Sequence, residues 1–322
     1  MQATNFILVS AAAVIATCAP VQALLCPHES SLKPSCRCSE YSFKGLLVTC
    51  QGIRNPHELE KPFMYLRDYD LYSLTLHTVN VSIPTHLFKD LNVVNIMIVN
   101  STLRVQDFPS QSEANTTLFL GRKLNSFHVR HTDLDLGNAR LGAMNSLQHV
   151  KVDTSTMKVL RRNWFCGLTD LKSLTIQSTR IDRVDNDAFS ALDRVETINL
   201  PANRLDSLLR SYFPHLATEL RVLDFSDNRL TSLPTDMFDN MPVLETVLLS
   251  RNKFKTLSPA PWRPMLRQLV SIKLDGNPID CSGNISWLLQ SDVRHKISGT
   301  CLTPRHLAGI NLYELNDTRY SR

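Results

Sequence analysis

Residues 195–216 read VETINLPANRLDSLLRSYFPHL, and residues 220–241 read LRVLDFSDNRLTSLPTDMFDNM. Val195, Ile198, Leu200, Asn203, Leu205, Leu208, Phe213 and Leu216 align with Leu220, Leu223, Phe225, Asn228, Leu230, Leu233, Phe238 and Met241. Unit starts at Leu147, Leu171, Val195, Leu220 and Leu244 give spacings of 24, 24, 25 and 24. Positions 4 and 6 of each unit alternate with polar residues, as a strand buried on one face requires. Positions 11 to 22 then return the chain along an outer side, where Phe165, Phe189, Phe213 and Phe238 are expected to stack as an aromatic spine.

The unit L-x-x-L-x-L-x-x-N-x-L resembles the leucine-rich repeat. One unit cannot bury its apolar face alone, so neighbours must stack and the two ends need caps. The fold expected is an α/β leucine-rich-repeat solenoid. It is a curved right-handed horseshoe with a parallel sheet on its concave face and disulfide-stapled caps at both ends. Position 9 is Asn203, Asn228, Asn252 and Asn277 in the later units, where the amide is expected to bond backbone of adjacent coils. Earlier units have Ser101, Thr132, Ser155 and Thr179 there, with shorter reach, so that half is expected to be less regular.

Working outward, residues 1–23 have an apolar core from Phe6 to Thr17 and small residues around Ala23, and read as a signal peptide. Residues 24–66 are expected to form a cysteine-rich amino-terminal cap. About nine repeats are expected over 67–276, interrupted near 105–123 by a Ser-, Gln- and Asn-rich insertion. Residues 277–322 would then form the carboxy-terminal cap. No later stretch reaches the length of a membrane span, and a secreted, extracellular protein follows. Of eight cysteines, Cys18 leaves with the leader, and Cys26, Cys36, Cys38 and Cys50 precede the array. Cys281 and Cys301 follow the array, so the bracketing cysteines read as disulfides. A zinc reading of Cys36-x-Cys38 fits less well, because the spacing is not C-x₂-C. Cys166 is left over, either a half-buried free thiol or half of an intermolecular bond. Asn80, Asn100, Asn115, Asn284 and Asn316 begin Asn-x-Ser/Thr acceptor sequences for glycosylation.

Solvent-facing strand positions line the expected binding face. They include His128, Arg130, His149, Lys151, Thr175, Asn199, Asp224 and Leu248. A weakly basic patch (His128, Arg130, His149, Lys151) gives way to neutral and then acidic surface. His128, His131 and His149 have no fixed ligand spacing, so no metal site and no cofactor is read. Lys158, Arg161 and Arg162 form a second basic cluster on the returning side. The formal charge of +5 is mild and gives no sign of nucleic-acid binding. Nucleophile-elbow, zincin, phosphate-loop and dinucleotide motifs are missing, so the chain does not read as an enzyme.

The terminal residues carry further resemblances. Cys26-Pro27, Pro34-Ser35-Cys36-Arg37-Cys38 and Leu47-Val48-Thr49-Cys50-Gln51-Gly52-Ile53 resemble the opening of arthropod secreted leucine-rich repeat proteins. That group is similar to the non-catalytic subunit of the shrimp luciferin 2-monooxygenase. That resemblance implies a stabilising subunit without catalytic residues, while Cys26, Cys36, Cys38 and Cys50 resemble the leucine-rich amino-terminal cap family, which implies the bonds Cys26–Cys38 and Cys36–Cys50. Asn277-Pro278-Ile279-Asp280-Cys281 followed by Trp287 resembles the carboxy-terminal cap of extracellular repeat proteins, which implies Cys281–Cys301. The function expected is recognition of an extracellular protein partner through the concave face. The alternatives are a stabilising subunit of a secreted enzyme or matrix assembly, and binding to anionic glycan or pathogen surface in innate defence.

Overall fold

The computed structural model describes residues 25–83, 85–88, 90–105, 123–135, 141, 146–282, 285–289 and 294–315. The expected leader, the body of the insertion, and the acceptors Asn115, Asn284 and Asn316 lie outside them.

Stacked coils build one 12-stranded sheet. It opens with an antiparallel hairpin, Cys36–Glu40 against Leu46–Gln51, and every later pairing is parallel. The strands then run in chain order through Asp70–His77, Asn92–Val99, Ser126–Arg130, His149–Asp153, Ser173–Gln177, Thr197–Asn199, Val222–Asp224, Thr246–Leu248, Ser271–Lys273 and Ile297–Ser298. Inward positions such as Leu174, Ile198 and Leu223 are buried, while the alternating neighbours stay half-buried or exposed. Among the described residues the α-helices, Glu29–Leu32, His57–Leu66 and Ser286–Leu289, lie toward the ends of the array. In the longest, Leu59, Phe63 and Leu66 are buried, and Phe63 packs 5.6 Å from Phe88 of the first coil.

The four position-9 asparagines do one job repeatedly. Asn228 Oδ1 accepts from Leu205 N–H at 3.0 Å, and its Nδ2 donates to Leu200 O at 2.9 Å and Phe225 O at 3.1 Å. Asn203, Asn252 and Asn277 make the corresponding bonds in their own coils. Each amide therefore satisfies backbone groups that stacking would otherwise bury unpaired. Two of the hydroxyls reach less far, Ser101 Oγ accepting from Val79 N–H and Thr132 Oγ1 from Ser101 N–H, while Ser155 Oγ accepts from the position-11 N–H of Leu134 as the asparagines do.

The hydroxyl half is differently organised rather than less paired. Its return segments zip into a second parallel sheet, Asn80–Ile83, Thr102–Val105 and Asp133–Asp135. Where an asparagine caps the position-11 N–H, that group is withdrawn from such a ladder. The turn after each sheet strand is uniform. Thr78, Asn100, His131, Thr154, Ser178, Ala202, Asp227 and Arg251 all take left-handed φ between 47 and 57°, and Gly276 takes 75°. This conformation aims each N–H at the next coil, as Ala202 N–H does to Ser226 O at 2.9 Å.

The aromatic spine exists with a different continuation. Phe165–Phe189 and Phe189–Phe213 lie 5.8 Å apart, and Phe213 meets Phe225 edge-on at 6.4 Å. Phe238 packs 5.1 Å from Trp262, which holds the same place in the next coil. The disulfides are Cys26–Cys38, Cys36–Cys50 and Cys281–Cys301, the pairings that the terminal resemblances imply. At the far end Trp287 packs on the last core layer and donates Nε1–H to Leu257 O at 2.9 Å.

Candidate binding face

Parallel register, shifted once between Leu46 and Leu47 and unslipped from there on, turns one position of each coil into a row. The central row runs Thr49, Thr75, Met97, His128, Lys151, Thr175, Asn199, Asp224, Leu248, Lys273 and Ser298. Six of the eight residues expected to bind thus share a single line across the sheet. Arg130 belongs to the row beside it, with His77, Val99, Asp153 and Gln177, and His149 to the row on the other side, with Ser126 and Ser173.

The basic patch is weaker than its composition implies. Arg130 Nε lies 3.9 Å from an Asp153 carboxylate oxygen. Burial works against that carboxylate, but hydrogen bonds from Gln177 and Thr154 and the charges of Lys151 and Arg130 outweigh it and hold its pKa below the ordinary value. Burial, with Lys151 as a nearby cation, also pushes the His128 pKa below its usual 6.5. The gain of charge on acidification expected from a free imidazole is therefore delayed at His128.

Toward the carboxy-terminal end the face is polar and mixed in sign. Asn199 Nδ2 donates to Thr175 Oγ1 at 3.3 Å, and Thr197 Oγ1 to Ser173 Oγ at 3.0 Å. The Asp224 carboxylate accepts from Ser226 N–H at 2.9 Å, and Lys273 is exposed. Two buried atoms on the row, His128 Nε2 and Asn199 Oδ1, have no hydrogen-bond partner.

Elsewhere, Lys158 and Arg161 line an open cavity of about 270 Å³ on the returning side with Asp133, Met157 and Trp164. Arg162 Nη1 is 3.6 Å from Asp187. Cys166 is a half-buried free thiol. Among the described residues no three His, Cys, Asp or Glu side chains gather as a metal site would require. No described helix is long and apolar enough to cross a membrane. Asn80 and Asn100 are both exposed.

The leucine rich repeat family matches residues 145–205 and 218–279. The array is a leucine-rich-repeat solenoid. Human opticin is 31% identical over 152 residues, which cover 38% of this chain and 44% of opticin. Human epiphycan is 28% identical over 156 residues, covering 39% and 47%. The crystal structure of a TLR13–ssRNA13 complex superposes with a TM-score of 0.58 at 19% identity, over 72% of this chain and 32% of that one. The solenoid chain thus spans less than half the length of these proteins. The fold is that of an extracellular-type repeat protein with disulfide-bonded ends.

Proposed function

We propose that this leucine-rich-repeat protein is an extracellular, non-enzymatic binder that takes a protein partner on the solvent-facing side of its main sheet. The observation that carries the reading is the unbroken central row from Thr49 to Ser298. Ten strand spacings of about 4.8 Å make a face about 48 Å long. At a width of about 15 Å for three rows, its area is about 700 Å², close to the about 800 Å² per partner of a standard protein interface. Its charges alternate in sign along the row, from Lys151 through Asp224 to Lys273, a pattern that selects register against a folded surface.

An anionic glycan or microbial surface fits less well, because Asp153 offsets Arg130 and burial disfavours the charged form of His128. The stabilising-subunit reading shares the protein partner and differs in adding a covalent link, for which the half-buried Cys166 thiol is the available group. The test is chemical crosslinking of the secreted protein in its native fluid, then mass spectrometry with and without reductant. One stoichiometric partner, lost in the Asn199→Ala/Asp224→Ala variant, supports the reading. Retention only on anionic polymer, falling steeply with salt, sinks it.

A further inference from the structure

Two acceptor asparagines fall among the described residues, and they sit in different places. Asn80 opens the return strand Asn80–Ile83, away from the main sheet. Asn100, in Asn100-Ser101-Thr102, follows the sheet strand Asn92–Val99 at the left-handed turn, φ 49°, a conformation asparagine tolerates better than most residues. Its N–H donates to Arg130 O at 3.1 Å, and its Nδ2 donates to His77 Nε2 at 3.2 Å. His77 lies in the sheet-face row with Gln51, Val99 and Arg130. The side-chain nitrogen of Asn100 therefore sits on the rim, against the amino-terminal end of the face.

That end also differs chemically. On the three strands nearest Asn100 the sheet-face positions Thr49, Gln51, Ser73, Thr75, His77, Asn95, Met97 and Val99 include no Lys, Arg, Asp or Glu, Arg37 opposite Thr49 being the charge at the outer edge, whereas Lys151, Asp153, Asp224 and Lys273 all lie further along. Arg130, beside Val99 in the same row, is offset by Asp153, so the unopposed charges of the central row, Lys151, Asp224 and Lys273, lie on the far side of Arg130 from Asn100.

We infer that Asn100 carries an N-linked oligosaccharide that covers the Gln51–His77–Val99 end of the face and keeps the partner off that end. The second half of this inference rests on the sheet-face binding reading. In the acceptor reaction the Asn100 amide nitrogen bonds the anomeric carbon of a lipid-diphosphate-linked oligosaccharide. The bond from that carbon to the diphosphate breaks, the lipid diphosphate leaves with the electron pair, and the amide proton passes to base. The product is a neutral secondary amide, which the exposed left-handed turn accommodates.

Two readouts separate the parts. The protein secreted from eukaryotic cells is treated with peptide N-glycosidase in ¹⁸O-water, and its peptides are mapped by mass spectrometry. Conversion of Asn100 to ¹⁸O-labelled aspartate is expected, and unmodified Asn100 overturns the inference. Coverage is then measured without a partner, in a Cys166→Ser background, with Thr75→Cys as the reporter and Thr175→Cys as the control. The rate of labelling by a bulky polymer maleimide is divided by the rate for a small maleimide. At Thr75→Cys this ratio should rise several-fold when Asn100→Gln is added, while at Thr175→Cys it should hold. Should Asn100→Gln not be secreted, enzymatic deglycosylation of the folded protein gives the same comparison. An occupied Asn100 with an unchanged ratio overturns the covering role, and does so independently of whether any partner binds the face.

Discussion

Replacing Asn203 with alanine should cost more than the same change at Asn228, although both occupy position 9 and both are 7% exposed. At Asn228 the amide oxygen serves one backbone donor, Leu205 N–H. Its carbonyl partners Leu200 O and Phe225 O keep a second donor from Asn203 and Asn252. Asn228→Ala therefore leaves one buried N–H without a partner, at about 1–3 kcal/mol. Asn203 Oδ1 serves Thr179 N–H, Ile181 N–H and the Thr179 hydroxyl, and its Nδ2 reaches Ile176 O at 2.8 Å. Its loss leaves two buried N–H groups unpaired, at about 2–6 kcal/mol. The difference, about 1–3 kcal/mol in favour of Asn228→Ala, is read from urea unfolding midpoints at constant m-value. Equal costs, or a cost below about 1 kcal/mol at Asn203, would refute the argument that these amides replace missing backbone pairing.

Other outcomes follow from the same geometry. Ala202 has φ 56° and is exposed. Ala202→Asn should raise stability by up to about 1 kcal/mol, since the left-handed turn penalises alanine, and thermal melting checks this. Removing the Cys281–Cys301 bond by paired serine substitutions releases a 20-residue loop and should cost about 3 kcal/mol, seen as earlier unfolding by tryptophan fluorescence. His128 should titrate below 6.5 by NMR. Because the fold favours its neutral form, the stability it contributes is complete above pH 6.5 and is lost as pH falls through that value toward the lowered pKa. His128→Gln should flatten the acid limb of the stability profile there, and an unchanged limb would count against the burial argument.

The repeat was legible because seven or more positions recur in register, and the inward and outward faces follow from a period of two. Asn203, Asn228, Asn252 and Asn277 could be given their backbone-bonding role in advance, since a buried amide needs both donors and acceptors. The second sheet over Asn80–Ile83, Thr102–Val105 and Asp133–Asp135 was not legible. It forms where hydroxyls leave return-segment backbone free to pair, and that depends on the neighbouring coil. Trp262 was missed in the spine for a simpler reason: a search for repeated phenylalanine passes over a tryptophan at the same position. On the face, the residues were identifiable but their charge state was not. The Arg130–Asp153 contact and the burial of His128 come from coils more than 20 residues apart in sequence. The disulfide pairing came from the terminal resemblance, because cysteine counting leaves connectivity open.

The most direct test of sheet-face binding places a photo-crosslinking amino acid at Thr175, at Asn199, or at Thr231 on the returning side, and irradiates each variant in native extracellular fluid. One discrete adduct, with the same partner, is expected from Thr175 and Asn199 and none from Thr231. An adduct from Thr231 alone, or from all three positions equally, would contradict sheet-face binding.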